Sequence, residues 1–369
     1  MIEGIERLRG VACILVVIHH IIWICPLRFI HEIIPKHLLN AGGGMRIFFA
    51  ISGFVITLSL RDKIAAASGD LFLDRLIGMK TTLLTFYKKR ICRIFPMVIF
   101  VVLLLGIFLN FTKDNLIWLP SLLRVPGEIF CGVYNNSVEL FTETELVHTC
   151  GTGPFWTLAI EMTFYAFWPI CLLLCRNDSA RAKTALLLGS GMIFAVQPIF
   201  GAYDLSKYYL IHNNLGELFL GSFLAYLYQS PRQSSGCSAW AKALVCLLTI
   251  LVWASPNLIA PCYYSNVVVG VSAVFLVSMG VFVPGSFNLP LLGPLLSYLG
   301  SHSFSIYAIH LFLAQVVVWF TNSAYFHRES FYEHEFYRWQ FIIFVVSLLV
   351  FAEIVYRVIE KPCREIGRK

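Results

Sequence analysis

Apolar residues in this chain fall in long runs rather than in alternation. Val11 to Trp23 is interrupted only by His19 and His20, and comparable stretches recur to the C-terminal end. A helix needs ~20 mostly apolar residues to cross a bilayer. The pattern predicts ten helices, over residues 10–27, 45–60, 94–111, 155–175, 184–201, 214–229, 241–255, 264–283, 295–320 and 339–357. The second, sixth and seventh are short for a full span. The expected architecture is all-α: a polytopic transmembrane helical bundle of about ten helices. The runs leave no stretch for a separate soluble domain, so residues 1–369 are read as a single membrane-embedded domain. The first run lacks an A-x-A-like cleavage site and is read as a retained helix, not a signal peptide. No internal or inverted repeat is visible.

Composition agrees. The 369 residues are 58% hydrophobic and 13% charged, where a soluble domain carries roughly 25% charged residues. A net charge of +7 would raise nucleic acid as a partner in a soluble protein. In a membrane protein, Lys and Arg collect on the cytoplasmic side, so the charge speaks of orientation and no nucleic-acid partner is expected. With the N-terminus inside, the cytoplasmic segments hold two basic residues at the N-terminus, eight in 61–93, three in 176–183, two in 230–242 and five in 356–369. That is 20 of the 28. Both termini are therefore expected in the cytoplasm, which requires an even number of spans.

The 11 cysteines form no CxxC pair, which argues against a zinc or redox site. Cys13, Cys171, Cys175 and Cys246 sit within apolar runs as small fillers. Cys131 and Cys150 share the outer loop 112–153, where a disulfide is open if the loop faces an oxidising space. That loop also carries Asp114, Glu128, Glu139, Glu143, Glu145 and a sequon at Asn135. It reads either as a solvated connection or as a lid over a polar acceptor.

Ionisable groups within membrane helices are costly and face the bundle interior. Arg9 and His20 are eleven residues apart. Eleven steps of ~100° return to nearly the same face, with a rise of roughly 16 Å. Arg9 is expected at the cytoplasmic boundary and His20 near mid-depth, with His19 about 100° away. Taken singly, Arg9 also suits a snorkelling interface residue and His20 a helix–helix hydrogen bond. His310 lies at similar depth, with Tyr307 beside it at i−3. Glu161 lies near the outer end of the fourth helix. Lys88-Lys89-Arg90-Ile91-Cys92-Arg93 opens the third. It reads as a positive-inside anchor or as a phosphate clamp, with Arg90 and Arg93 on one face at a helix start.

These residues resemble the acyltransferase family 3 group of integral membrane O-acyltransferases. Arg9 and His20 match its Arg–x10–His opening. Phe48-Phe49-Ala50-Ile51-Ser52-Gly53-Phe54-Val55-Ile56 matches its FF-x-x-SGF-x-I helix. Arg90, Arg93 and Pro96 match its basic pair followed by proline. Trp156, Thr157, Leu158, Glu161, Phe164 and Tyr165 match W-[ST]-L-x-x-E-x-x-[FY]-Y. Gly300, Ser303, Phe304, Ser305, Tyr307 and His310 match G-x-x-S-[YF]-S-x-Y-x-x-H, and Tyr356, Glu360 and Pro362 match the close. No single motif is very specific, but six occur in order over the full length. One position departs: the family usually has an acid before the FF pair, where this chain has Met45-Arg46-Ile47.

The resemblance implies acyl transfer, with acetyl the usual group. The donor is a cytosolic acyl-CoA acting as co-substrate, with no permanently bound cofactor and no metal. The acceptor is a hydroxyl of a cell-surface or lipid-linked glycan, and the setting is a bacterial inner membrane. In that scheme Arg9, Arg90 and Arg93 bind the donor phosphates. His20 acts as general base or nucleophile, Glu161 and His310 orient His20 or the acceptor, and Trp156 and Tyr307 contact substrate. A homo-oligomer is compatible. Two other readings remain open from the sequence: a transporter or flippase using the buried His and Glu as a proton relay, and a non-catalytic member of a glycan-assembly complex.

Overall fold

The computed structural model describes residues 2–24, 43–66, 72–111, 155–196, 211–229, 237–258, 262–288, 292–325 and 333–368, and these contain helices and turns but no strand. The helices are α1 (Glu3–Ile24), α2 (Gly44–Ala65), α3 (Phe72–Phe111), α4 (Trp156–Leu174), α5 (Asp178–Gly191), α6 (Ile211–Leu227), α7 (Ala239–Leu258), α8 (Cys262–Phe282), α9 (Leu292–Ser301), α10 (Ser303–Tyr325), α11 (Glu333–Val355) and α12 (Lys361–Ile366). Single π-helical segments extend α5 (Met192–Val196) and join α11 to α12 (Tyr356–Glu360). The loop 112–153, with Cys131, Cys150 and Asn135, lies outside the described residues.

Among the described residues, four helices are long and apolar enough to cross a membrane: Phe72–Phe108, Tyr264–Phe282, Ser303–Phe320 and Trp339–Ile366. Shorter apolar helices run over Ile160–Leu174 and Ala239–Ala254. Their outer faces carry the exposed apolar residues, among them Leu103 and Ile107 of α3, Leu247 of α7 and Val346 and Val350 of α11. That is the distribution a hydrocarbon solvent selects.

The largest departure from the sequence pattern is α3, which begins at Phe72 rather than at 94. Forty residues at ~1.5 Å each give about 60 Å, twice the hydrocarbon thickness. Residues 72–93 read as a loop because they are charged. Yet Arg75, Met79 and Phe86 recur at helical spacing and are buried, while Asp74, Lys80, Lys88 and Lys89 are exposed. The segment is an amphipathic helix, which a search for continuous apolar runs passes over. Its buried Arg75 donates from Nη1 to the Cys175 carbonyl (3.1 Å), where Arg181 also donates to Leu172 O (3.0 Å) and Cys175 O (3.2 Å). Two arginines thus satisfy the open carbonyls at the end of α4.

The span predicted over 295–320 is broken into α9 and α10 at His302. His302 Nδ1 and Ser301 Oγ both bond the Tyr298 carbonyl, at 2.9 and 2.8 Å. Side chains that compete for a backbone acceptor bend a helix at that point. The α1 helix begins at Glu3, two turns before Arg9, with Arg7 paired to Glu3 in its first turns.

Two apolar cores lie side by side. One gathers faces of α3, α4, α10 and α11, and the other faces of α7 and α8. Both α1 and α2 contribute to each core, Cys13 and Val16 to the first and Leu8 and Ala12 to the second. They are the central helices, and the functional candidates sit on them or against them.

Glycines let these helices approach closely, as expected where small residues replace hydrophobic driving force between helices in lipid. A Cβ on Gly53 would fall 1.9 Å from Leu218 O, and one on Gly221 2.0 Å from Ala50 O, a reciprocal antiparallel contact of α2 with α6. On α1, Gly10 meets Leu296 and Gly300 meets Glu6 in the same way. Because the obstructing atoms are backbone, they cannot swing aside. Gly221→Val is expected to cost more than about 3 kcal/mol, the upper end for overpacked cores. Thermal unfolding in detergent would show it as a lowered transition temperature, whereas Gly191→Ala, with open space around its Cβ position, is expected to leave that temperature unchanged.

Candidate active site

A cavity of about 70 Å³ opens between α1, α2, α3, α4 and α10. Arg9, Arg90 and Arg93 line it together with Glu161, Tyr165, Ser52, Ser303, Thr157 and Tyr307. The neighbouring wall is apolar, with Phe48, Ile51, Val55, Leu158 and Phe304.

Two of the arginines lie against aromatic rings. The Arg90 guanidinium lies 5.3 Å from the Phe86 ring centre and 5.4 Å from that of Tyr165. Arg93 lies 5.7 Å from Phe304. Among the described residues none of the three makes an ion pair within 4 Å, and the buried Arg90 Nε has no hydrogen-bond partner. Three like charges share the cavity with a single carboxylate, Glu161, so they repel one another and leave an excess of positive charge that a further anion would offset.

Arg90 and Arg93 do not stand at a helix start. α3 begins at Phe72, five turns earlier, so the positive end of the helix dipole, which acts only over the first turn, contributes nothing to them. Their anion-binding capacity rests on the guanidinium groups alone. Arg9, expected at the edge of its helix, also projects from within one.

Glu161 is fixed at both oxygens. Ser52 Oγ donates to Oε1 (2.7 Å) and Tyr165 OH to Oε2 (2.5 Å). Among the described residues it makes no hydrogen bond to His20. Its place is in the wall of the cavity that the arginines also line. Tyr307 OH bonds Thr157 Oγ1 at 2.8 Å.

The two histidines meet. His20 Nδ1 lies 3.1 Å from His310 Nε2 and 2.9 Å from Val16 O, and His310 Nδ1 donates to Tyr307 O at 2.6 Å. Their ring centres are 4.9 Å apart, and His19 stands edge-on to His20 at 5.1 Å. Tyr307 connects the two groups, since it lines the cavity and its ring centre is 5.7 Å from that of His310. The structure thus brings Arg9, Arg90, Arg93, Glu161 and Tyr307 to one cavity and sets His20 with His310 behind Tyr307. Trp156 opens α4, and its side chain lies outside those described.

Ser52, Tyr165, Thr157 and Ser303 were not singled out as site residues. Tyr165 carried a signal, because i,i+4 spacing puts it beside Glu161 on one helix face. Ser52 is a hydroxyl within an apolar helix, which seeks a partner across helices. Ser303 is marked only by its place in the motif that ends at His310.

Arg46 lies apart from the cavity. Buried to 1% exposure, it pairs through Nη1 with the fully buried Glu217 of α6 and donates from Nη2 to Asn266 Oδ1 of α8 at 3.1 Å. The cation standing where an acid was expected has its anion on a neighbouring helix.

A family model described as an acyltransferase domain matches residues 2–357. The O-acetyltransferase OatA of Staphylococcus aureus (strain NCTC 8325 / PS 47) is 24% identical over 394 residues, covering 100% of this chain and 58% of its own length. A Bacillus subtilis (strain 168) protein, YrhL, provisionally named a peptidoglycan O-acetyltransferase, is 26% identical over 394 residues, covering 99% of this chain and 55% of its own. A provisionally named O-acetyltransferase of S. aureus (strain COL) is 24% identical over 396 residues, covering 100% and 58%. The chain spans a little over half the length of these relatives. No solved structure matches it.

Proposed function

The chain belongs to the acyltransferase-domain family, and from that premise we propose that it is an integral membrane O-acyltransferase, moving an acetyl or similar acyl group from acyl-CoA to a hydroxyl of a glycan. The observation that carries this reading is the convergence of Arg9, Arg90 and Arg93 on one cavity with no carboxylate pairing them among the described residues. A donor bearing several phosphates supplies anions beyond the single Glu161 carboxylate in the cavity, since guanidinium groups bind phosphate oxygens in charge-assisted pairs. The pantetheine arm then runs past Tyr307 toward His20.

His20 takes the proton of the attacking hydroxyl. General-base catalysis contributes about 10²–10⁴-fold, and the half-buried His20 imidazole beside the buried one of His310 suits that task. The donor side is the cytoplasm. Support comes from the excess of basic residues and from the contacts of Gly300 with Glu6 and of Gly367 with Lys89 and Cys92. These bring both chain ends to the arginine-bearing end of the bundle. The names of the relatives favour a cell-wall or surface glycan as acceptor, in a bacterial cytoplasmic membrane.

Labelled acetyl-CoA tests the reading in vesicles holding the protein and a surface glycan. Label is expected to move from thioester to glycan; label that stays on CoA overturns the proposal. Exchanging both Arg90 and Arg93 for Ala is expected to raise the KM for acyl-CoA by about 100-fold, at roughly 1.4 kcal/mol per lost contact. An unchanged KM would remove the phosphate-clamp role.

A further inference from the structure

The backbone partners of the two facing imidazoles decide which nitrogen carries each proton. A main-chain carbonyl only accepts. His310 Nδ1 lies 2.6 Å from Tyr307 O, so Nδ1 bears the hydrogen. In a neutral ring that leaves His310 Nε2 bare. This bare nitrogen faces His20 Nδ1 at 3.1 Å, and the other partner of His20 Nδ1 is Val16 O at 2.9 Å. Both partners are acceptors. His20 Nδ1 must therefore carry hydrogen, and its lone pair sits on the remaining nitrogen, Nε2. The opposite assignment, with His310 Nε2 donating to a bare His20 Nδ1, would set that lone pair against the one on Val16 O.

We infer that His310 is a positioning residue that holds His20 as its Nδ1–H tautomer, and that the reacting atom of His20 is Nε2. The chemistry rests on the acyl-transfer reading; the tautomer does not. In the reaction the acceptor O–H bond breaks and the proton goes to Nε2, while the oxygen forms its bond to the thioester carbonyl carbon. The C–S bond breaks and its electron pair leaves with sulfur. The proton on Nε2 then passes to that thiolate, restoring neutral His20.

Between the two proton transfers His20 is a cation, and its Nδ1–H bond to His310 Nε2 becomes charge-assisted. The proton travels no further, since His310 Nδ1–H is committed to Tyr307 O. His310 thus stabilises a charge that exists only during turnover. An interaction of that kind acts on kcat and leaves substrate binding unchanged.

The test uses the whole chain in vesicles with 15N-labelled histidine, the His20 signals being those lost in His20→Asn. A bare Nε2 and a protonated Nδ1 are expected for His20. A protonated Nε2 overturns the inference. Kinetics tests the role of His310. His310→Gln keeps an acceptor oxygen near the place of Nε2, and His310→Leu removes it. The Leu variant is expected to lose on the order of 100-fold in kcat with the KM for acyl-CoA unchanged, and the Gln variant to recover most of that loss. A Gln variant as slow as Leu, or a loss carried by KM, overturns the positioning role. The nitrogen signals are read without turnover, so an absence of acyl transfer would sink the functional reading and leave the tautomer to be decided on its own.

Discussion

His20→Ala is expected to lower acyl transfer by about 10²–10⁴-fold while the protein stays in the membrane at wild-type levels. The magnitude follows from losing a general base, worth about 10²–10⁴. The folding cost is small by comparison. Among the described residues the hydrogen bonds of the His20 ring reach Val16 O and His310 Nε2, and the Val16 carbonyl keeps its helical partner. His310 Nε2 loses its donor, at a cost of about 1–3 kcal/mol for a buried acceptor left unpaired. The KM for the donor is expected to stay put, because the arginines proposed to bind it line the cavity and His20 does not. Initial rates at matched protein amounts check this, and a variant that retains more than a tenth of the wild-type rate would remove His20 from the chemistry.

Breaking the Arg46–Glu217 pair is the second large effect. Both side chains are fully buried. Removing one partner leaves an uncompensated charge in a low-dielectric interior, at a cost of about 3–5 kcal/mol. Arg46→Ala and Glu217→Ala are each expected to lower the unfolding temperature markedly or to reduce the amount of folded protein recovered. The exchanged pair, Arg46→Glu with Glu217→Arg, restores opposite charges across the same contact of α2 with α6 and is expected to recover much of the loss. A double variant no better than the singles would show that the pair does not act through its charge. Gly270 marks how tightly the pair is enclosed, since a Cβ there would lie 2.6 Å from Glu217 Oε1.

These two cases show where the sequence could be read and where it could not. Long apolar runs announce helices, and α4 and α8 fall within two residues of their expected ends. Ionisable residues inside such runs pointed to Arg9, His20, Glu161 and His310, because an unneeded charge in lipid is selected against. What stayed hidden depends on pairing across distance. Arg46 and Glu217 are 171 positions apart, and His20 and His310 are 290. No local pattern links them, so Arg46 looked like an anomaly when it is half of a pair. The amphipathic start of α3 escaped because its polar face breaks the apolar run. That error carried over to Arg90 and Arg93, which appeared to sit at a helix N-terminus and are in fact deep within a helix.

The shape of the site separates two tasks. The arginines, proposed to meet the donor, line the cavity, and the histidine pair lies beside Tyr307, whose hydroxyl is tied to Thr157. A transporter using His and Glu as a relay would join those groups by hydrogen bonds. Here Glu161 is bonded to Ser52 and Tyr165, and each histidine to the other.

The central claim is that this protein places acyl groups on a glycan through His20. Mass spectrometry of surface glycans tests it most directly, comparing cells that lack the gene with cells complemented by the wild type or by His20→Ala. The account predicts an acyl mass increment that is present with the wild type, absent without the gene and absent with His20→Ala. Glycans of identical mass in all three, or an increment restored by His20→Ala, would contradict it.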